Sequence, residues 1–246
     1  MAMDNYGDAH RYFLQYITAK RILTASEVKS AYQFCCEKFN IGKSCDLKTF
    51  VMTINQHIAV MGLTIKKYAQ EDFDNSTQCF LLMNTWNNEA TRHASVFTDQ
   101  ELSYIRKLVD ALVNSGGTIS STEATNLASH VVPKMKIADG EAFIDRLTKN
   151  RWLFKDADEQ NVCLSPLAYA ELQTYLEETY EDIIPKCVLC KLITFMGYGC
   201  PTCESRVHRM CAEIFWKEVN SPFCPQANCK ASWNHLKVAP SKRLRS

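Results

Sequence analysis

The run CVLCKLITFMGYGCPTCESRVHRMC, residues 187–211, decides how this chain is organised. With two later cysteines it sets out eight ligand-capable residues in the order C-x2-C-x9-C-x2-C-x4-H-x2-C-x12-C-x4-C. Zinc held by thiolate and imidazole takes four ligands in a tetrahedron, so eight such residues in paired spacings predict two filled sites. The eight are Cys187, Cys190, Cys200, Cys203, His208, Cys211, Cys224 and Cys229.

The other cysteines and the first residues favour metal binding over disulfides. The chain has 246 residues and 12 cysteines, of which seven lie between Cys187 and Cys229 and five are scattered over the first 186 residues. Asp4, Asp8 and Arg11 stand where a secretory signal needs an unbroken apolar stretch, so we do not expect export. In a reducing compartment, clustered cysteines are typical of a metal site.

One of the eight ligands has a competitor, because His235 could replace one of them. Its separation from Cys229 is less regular, so we prefer His208. With every coordination position filled by protein, no position is open for a water nucleophile, and we expect two structural Zn²⁺ ions without hydrolytic chemistry. A module of about 45 residues buries too small a core alone, so ligation should supply much of its folding free energy.

Upstream of the cysteine cluster, three predicted helix starts share the same N-terminal capping pattern. Thr24, Thr98 and Ser120 each precede a Glu by three residues, the pattern in which a hydroxyl caps the first free amides and the Glu reaches back. Apolar residues repeat at helical spacing after Thr98 until the Ser-Gly-Gly of residues 115–117 supplies a stop. Ser165 followed by Pro166 predicts one more start.

These starts predict two units with one plan. In the first ninety residues we expect helices near 8–22, 25–39 and 46–61, then strands at 63–68 and 77–83 around the loop EDFDNS. The second stretch repeats the order, with helices after Thr98, after Ser120 and from about Asp139 to Asn150, strands at 152–154 and 161–164, and a last helix from Ser165.

Three helices closed by a hairpin are the winged-helix arrangement, which docks on DNA or on proteins. The predicted fold class is therefore mainly α with short β-hairpins, as tandem winged-helix units followed by a two-zinc domain. We expect the boundaries 1–96, 97–184, 185–233 for the zinc domain, and 234–246 for a basic tail.

Charge favours protein docking over DNA in the winged-helix half. Residues 97–186 hold 9 basic and 15 acidic groups, a net −6, and residues 1–96 have a net +1. The second unit would repel DNA more than attract it. Direct DNA contact is therefore the less favoured alternative, and it stays open. The longest uncharged apolar run, residues 51–65, falls short of the roughly 20 residues that span a bilayer, and no membrane span is expected.

Several aromatic side chains of the first unit lie at helical spacings and could serve as core or as docking surface. We expect core at each of them. They are Phe13, Tyr16, Phe34, Phe39 and Phe50.

The ligand order of four cysteines, one histidine and three cysteines resembles the RING and PHD classes of zinc domain. In both classes the pairs interleave. The resemblance implies a first site of Cys187, Cys190, His208 and Cys211, and a second site of Cys200, Cys203, Cys224 and Cys229.

The RING class contributes no nucleophile to ubiquitin transfer and acts by holding a charged ubiquitin-conjugating enzyme in a reactive orientation. Three residues fit its contact positions. Val188 directly follows the first ligand, Pro225 follows the seventh, and Lys230 follows the eighth, where a basic residue steadies ubiquitin. Each alone has a simpler explanation, as filler between ligands, a turn residue and a surface charge.

The PHD class, which reads histone tails, is the rival. It predicts an aromatic residue two positions before the seventh ligand, and that position holds Pro222, although Trp216 and Phe223 lie nearby. Both classes favour x2 in the last ligand pair, whereas Cys224 and Cys229 are separated by x4. A non-catalytic zinc-stabilised adaptor or a PHD-like reader therefore remains the alternative to a ligase.

Across essentially the whole chain, the winged-helix pair and the run at 187–211 resemble the non-SMC element 1 family, the RING-like subunit of the chromosomal complex of the fifth and sixth SMC proteins. The resemblance implies a nuclear, chromosomal protein that binds a MAGE-type partner through its winged-helix half, joins a kleisin subunit and serves DNA repair by homologous recombination. It also implies ubiquitin-ligase activity that is weak alone and stimulated by the MAGE-type partner.

Overall fold

The computed structural model describes residues 6–41, 46–71, 76–85, 97–181 and 183–233. His235, the basic tail at 234–246 and the middle of the first hairpin loop at 72–75 lie outside the described residues. The chain divides into two compact units, one of residues 1–68 and 78–96 and the other of residues 69–77 and 97–246. Among the described residues, none of the helices is both long enough and apolar enough to cross a membrane.

The first unit has the element order helix, strand, helix, helix, hairpin. Its elements are α1 (Asp8–Lys20), β1 (Ile22–Thr24), α2 (Ala25–Lys38), α3 (Leu47–Ile58) with a 3-10 turn (Ala59–Met61), β2 (Leu63–Glu71) and β3 (Ser76–Asn84). The sheet order is β1-β3-β2, with β1 antiparallel to β3.

The second unit begins with the same order and ends in an additional helix. Its elements are α4 (Asp99–Asn114), β4 (Thr118–Ser120), α5 (Ser121–Asn126) with a 3-10 turn (Leu127–His130), α6 (Ile137–Lys149), β5 (Leu153–Lys155), β6 (Asn161–Leu164) and α7 (Pro166–Thr179). The sheet order β4-β6-β5 repeats that of the first unit. The predicted tandem winged-helix fold is confirmed.

The predicted helix caps are also confirmed. Thr24 and Thr98 each form the full capping box with the Glu three residues on, and the Ser120 hydroxyl accepts a hydrogen bond from the Glu123 amide. Ser165 caps α7 by accepting from the Ala168 amide.

A third strand in each sheet was not predicted. The first predicted helix ran to residue 22, but α1 ends at Lys20 because Arg21 adopts a φ of 64° and its N–H bonds back to the Ile17 carbonyl. The next three residues then pair as β1 with β3, Leu23 opposite Phe80.

The expectation of core burial holds for most of the first-unit aromatics and is wrong at Phe34. Phe13 and Phe50 are fully buried, and Tyr16 and Phe39 are half-buried. Phe34 is 44% exposed because α2 turns Val28 and Cys35, not Phe34, toward the core.

The last part of the second unit is a small RING-like domain with little regular structure. It contains a short hairpin, β7 (Tyr198–Gly199) with β8 (Arg206–Val207), and one helix, α8 (Arg209–Val219). Its buried cluster consists of cysteines together with Val207, Ala212, Trp216 and Trp233. The core is therefore built directly around the ligand-capable residues.

Candidate metal centre

The first ligand group brings together Cys187, Cys190, His208 and Cys211, with one donor atom of each within 4.8 Å of all the others. Its members come from three places in the chain. Cys187 pairs with Arg206 in an isolated backbone β-bridge, and Cys190 lies in the turn that follows. His208 and Cys211 lie at the start of α8. A helix start places residues three apart on one face, so the x2 spacing of His208 and Cys211 suits one ion.

The second group brings together Cys200, Cys203, Cys224 and Cys229 under the same 4.8 Å limit. Cys200 and Cys203 flank the turn between β7 and β8. Cys224 and Cys229 flank another turn, which the bond from the Cys229 amide to the Gln226 carbonyl closes at 2.9 Å. The x4 spacing of the last pair, unusual for either zinc class, thus still closes the group.

The donor geometry fits zinc. Zn–S bonds of about 2.3 Å in a tetrahedron place two sulfurs about 3.8 Å apart. In the second group the Sγ atoms of Cys200 and Cys229 are 3.7 Å apart, as are those of Cys203 and Cys224. In the first group, His208 Nδ1 lies 3.2 Å from Cys190 Sγ and 3.9 Å from Cys211 Sγ, around the roughly 3.5 Å expected for sulfur and nitrogen on one ion.

A hydrogen bond on the far side of the ring orients His208 for this role. Its Nε2 lies 3.1 Å from the Ile193 carbonyl oxygen, which can only accept a hydrogen bond. The neutral imidazole therefore carries its proton on Nε2 and turns the lone pair of Nδ1 toward the sulfurs. His208 is 3% exposed, so water does not compete for either nitrogen.

The thiols of each group differ in how readily they ionise when no cation is bound. Hydrogen bonds with Cys190 and then Cys211 lower the pKa of the Cys187 thiol, whereas hydrogen bonds with Cys187 and then Cys190 raise the pKa of Cys211. Burial raises the pKa of Cys224 to about 12. A bound divalent cation would remove this competition, because it favours the thiolate at every ligand.

Within the described part of the chain, these two groups are the Cys/His clusters that could hold a metal ion. The scattered cysteines behave differently. Burial raises the pKa of Cys79 to about 12 and that of Cys35 to about 11. These two thiols are unreactive core residues of the first unit.

The three predicted conjugating-enzyme contacts lie beside the two groups. Val188 is half-buried against the RING-like core, and its amide donates to the Arg206 carbonyl at 3.0 Å. Pro225 is half-buried, and Lys230 is exposed. Their role in binding an enzyme stays a prediction.

Sequence reasoning missed two residues that support the groups. Trp233 is fully buried and packs edge-on against Trp216, with ring centroids 5.7 Å apart. Phe195 lies between the second and third ligands and packs against a helix of the second winged-helix unit. Neither belongs to a ligand spacing, and an aromatic residue in a short loop gives no periodic signal.

The tandem winged-helix units and the two interleaved ligand groups together define a RING-like protein built on winged helices. A family model described as "RING-like domain" matches residues 187–232. A second model, described as "Nse1 non-SMC component of SMC5-6 complex", matches residues 10–172, and the chain belongs to that family.

Known relatives agree over most of the chain. Proteins named "Non-structural maintenance of chromosomes element 1 homolog" are 29% identical over 231 residues in Bos taurus and 28% identical over 231 residues in Homo sapiens, each match covering 93% of this chain and 85% of the relative. A solved structure named "Nse1-Nse3-Nse4 complex" is similar with a TM-score of 0.77 and 27% identity, over 95% of this chain and 99% of that chain.

Proposed function

We propose that this chain is a RING-type ubiquitin ligase subunit of a chromosomal SMC complex, acting in the nucleus in DNA repair by homologous recombination. The observation that carries the proposal is the RING-like domain at 187–232, with two closed four-ligand groups, on a chain of the Nse1 family. A closed group fits a structural ion, so the ligase would bind and orient rather than supply a nucleophile.

In this proposal each four-ligand group holds one Zn²⁺ ion. The ions supply no chemistry beyond fixing the chain that surrounds them. Val188 and Pro225 contact the ubiquitin-conjugating enzyme, and Lys230 contacts ubiquitin. The reaction gains its rate from holding the charged enzyme in one geometry, since orientation alone can lower the barrier of a transfer step by several kcal/mol.

The proposed partners are a MAGE-type Nse3 subunit and a kleisin Nse4 subunit, because the similar solved structure is a complex of Nse1 with Nse3 and Nse4. The winged-helix half would bind the MAGE-type partner. Exposed apolar side chains in the first unit's third helix and in the turn after it support this. They are Met52 at 51% exposure, Val60 at 77% and Met61 at 52%.

Charge supports protein docking over DNA contact in the second unit. One basic side chain of α6 and one of β5 are already paired there. Arg146 forms an ion pair with Glu101 and lies over the Phe143 ring, and Lys155 pairs with Asp145 at 2.8 Å.

The proposed domains are winged-helix units at 1–96 and 97–184 and a zinc domain at 185–233.

A discharge assay tests the ligase activity. Purified chain with its MAGE-type partner, a panel of ubiquitin-charged conjugating enzymes and free lysine should accelerate ubiquitin release from at least one enzyme. Val188→Ala should abolish the acceleration while the zinc content stays at two ions. Val219→Ala, an exposed valine at the end of α8, is the matched control and should keep the rate.

The second candidate function is a non-catalytic adaptor or a PHD-like histone-tail reader. The x4 spacing of the last ligand pair favours it, because that pair frames the surface where a conjugating enzyme would dock. No acceleration with any conjugating enzyme would favour the adaptor. Saturable binding of a histone-tail peptide would favour the reader.

A further inference from the structure

Phe195 is the buried aromatic residue among those through which the RING-like domain contacts the second winged-helix unit. Phe195, in the loop between the second and third ligands, is 7% exposed. Its ring stacks on Tyr169 of α7, with centroids 6.1 Å apart and planes 24° apart.

The other side of this contact requires a glycine. Gly117 lies just before β4 at a φ of 104°, a conformation that side chains disfavour. A Cβ added there would lie 2.9 Å from Phe195 Cγ and would overlap its Cβ. Gly116 also has a positive φ, of 78°, but a Cβ added there would meet no atom within 4 Å. The Gly-Gly pair, interpreted from sequence as a helix stop, thus also makes room for Phe195.

The loop that carries Phe195 is held by the segment that carries His208. Arg206 donates to the Phe195 carbonyl at 2.9 Å, His208 Nε2 to the Ile193 carbonyl at 3.1 Å, and Arg209 Nε to the Met196 carbonyl at 3.2 Å. Three carbonyls within four residues are therefore fixed by one short segment. His208 belongs to the first ligand group, so its ring joins the metal site to the loop.

We propose that Phe195 is a positioning residue: it locks the RING-like domain onto the second winged-helix unit, and the first ligand group keeps it in place. A second tie between the two, the ion pair of Lys186 with Glu177 at 3.1 Å, is too exposed to hold the domain alone. If the first group bound an ion and lost it, the His208 ring would be freed, and with it the loop and its contact with Gly117 and Tyr169.

This inference rests on the proposed function for its consequence and deepens it. A conjugating enzyme bound to a RING-like domain that swings freely would still release ubiquitin to a small free amine. It would deliver ubiquitin poorly to a lysine of a protein held by the winged-helix half, because that lysine must lie within reach of a fixed thioester. Phe195 thus selects acceptors within the complex.

Hydrogen exchange of the full chain with its MAGE-type partner tests the lock directly. Gly117→Ala should raise the exchange rate of the amides at 193–197 by about tenfold while both zinc ions stay bound, since local opening controls exchange. Gly116→Ala, also at a positive φ but with no clash, should leave the loop as in the wild type. Equal effects of the two substitutions would overturn the proposal.

Phe195→Ala gives the same test without backbone strain. It should raise loop exchange as Gly117→Ala does, and the amides at 105–112 of α4 should keep their protection as a check that the winged-helix unit is folded. Unchanged loop exchange in this variant would overturn the proposal. Cys211→Ser, which removes a ligand of the first group only, should also raise loop exchange, and a loop that stays protected in this variant would contradict the link through His208.

Ubiquitin transfer separates the positioning role from a merely structural one. Phe195→Ala should leave release to free lysine within about twofold of the wild type and lower transfer to the subunits of the complex by about tenfold. Equal loss in both assays would mean a structural role and overturn the proposal. If the wild type releases no ubiquitin at all, the proposed function fails, while the exchange results still decide the lock.

Discussion

His208 shows how one side chain connects chemistry with packing. Its Nδ1 faces the sulfurs of Cys190 and Cys211, and its Nε2 donates to the Ile193 carbonyl. The second bond fixes the tautomer that a metal ligand needs and, with the same proton, anchors a loop. A histidine that only filled space would not need both nitrogens satisfied in these directions.

At this scale, ligand substitutions should remove ions one site at a time. Cys211→Ser leaves three ligands in the first group, so we expect the zinc content to fall from two ions to about one per chain. Cys36→Ser, at a half-buried cysteine of α2 outside both groups, is the control and should retain two ions. Metal analysis after gel filtration measures both. A Cys211→Ser protein that retains two ions would contradict the assignment of this group.

The roles of some single residues could be predicted from the sequence, and those of others could not. The eight ligand-capable residues could be predicted because spacing alone signals a tetrahedral site. The exposure of Phe34 could not, because which face of α2 is buried depends on how the helix packs. The partnership of Gly117 with Phe195 was equally hidden, since it joins residues 78 positions apart without any local pattern.

Among the elements, the helix starts depend on charged as well as polar contacts. Burial acts to raise the pKa of Glu101, but hydrogen bonds with Thr98 and the charge and hydrogen bond of Arg146 lower it overall, below its ordinary value of 4.5. A carboxyl whose pKa is lowered on folding stabilises the fold above its unfolded pKa. That contribution is lost as the pH falls through the lower, folded pKa.

The charge of Glu101 can be tested by a neutral isostere. Glu101→Gln should lower the free energy of unfolding by up to about 1 kcal/mol at pH 7, because the ion pair is partly exposed. The difference from the wild type should begin to shrink near pH 4.5, the ordinary pKa, and disappear only once the pH falls below the lower, folded pKa of Glu101. Urea unfolding between about pH 3 and 7 measures it. Glu123→Gln, at the matching position of α5, is the control for the helix dipole, and an equal loss there would contradict a role for Arg146.

The close packing of α6 against the 3-10 turn before it can be tested at Gly140. A Cβ at Gly140 would lie 2.6 Å from the Ala128 Cβ, so we expect Gly140→Ala to destabilise the second unit by about 1–3 kcal/mol through overpacking. Helix propensity alone would predict a gain of about 1 kcal/mol. Ala142→Gly, at an exposed position of α6, isolates the propensity effect. A Gly140→Ala protein more stable than the wild type would refute the packing argument.

Element order was largely predictable from sequence, and sheet order was not. Caps and apolar periodicity placed the helices within a few residues, because both are local signals. The strands β1 and β4 are three residues long and pair with β3 and β6, which come much later in the chain. Such short segments carry no alternation of their own, so only the tertiary pairing defines them.

For the whole molecule, the proposed function assigns partner binding to the winged-helix units and ubiquitin transfer to the RING-like domain. We expect Val60→Glu to weaken binding of the MAGE-type partner by about tenfold, because it places a charge where the proposal buries an apolar side chain. Gln15→Glu adds the same charge at an exposed position of α1 and should bind normally. Titration calorimetry measures both affinities. Equal affinity of Val60→Glu and the wild type would move the docking surface elsewhere.

We expect two protein-coordinated metal ions to organise the RING-like domain. The most direct measurement is elemental analysis of the native chain in its complex, followed by hydrogen exchange before and after chelation. We predict two zinc ions per chain, and we predict that their removal abolishes protection across 187–233 while α1 to α7 stay protected. Native protein without metal, or a RING-like domain that keeps its protection after the metal is gone, would contradict the account.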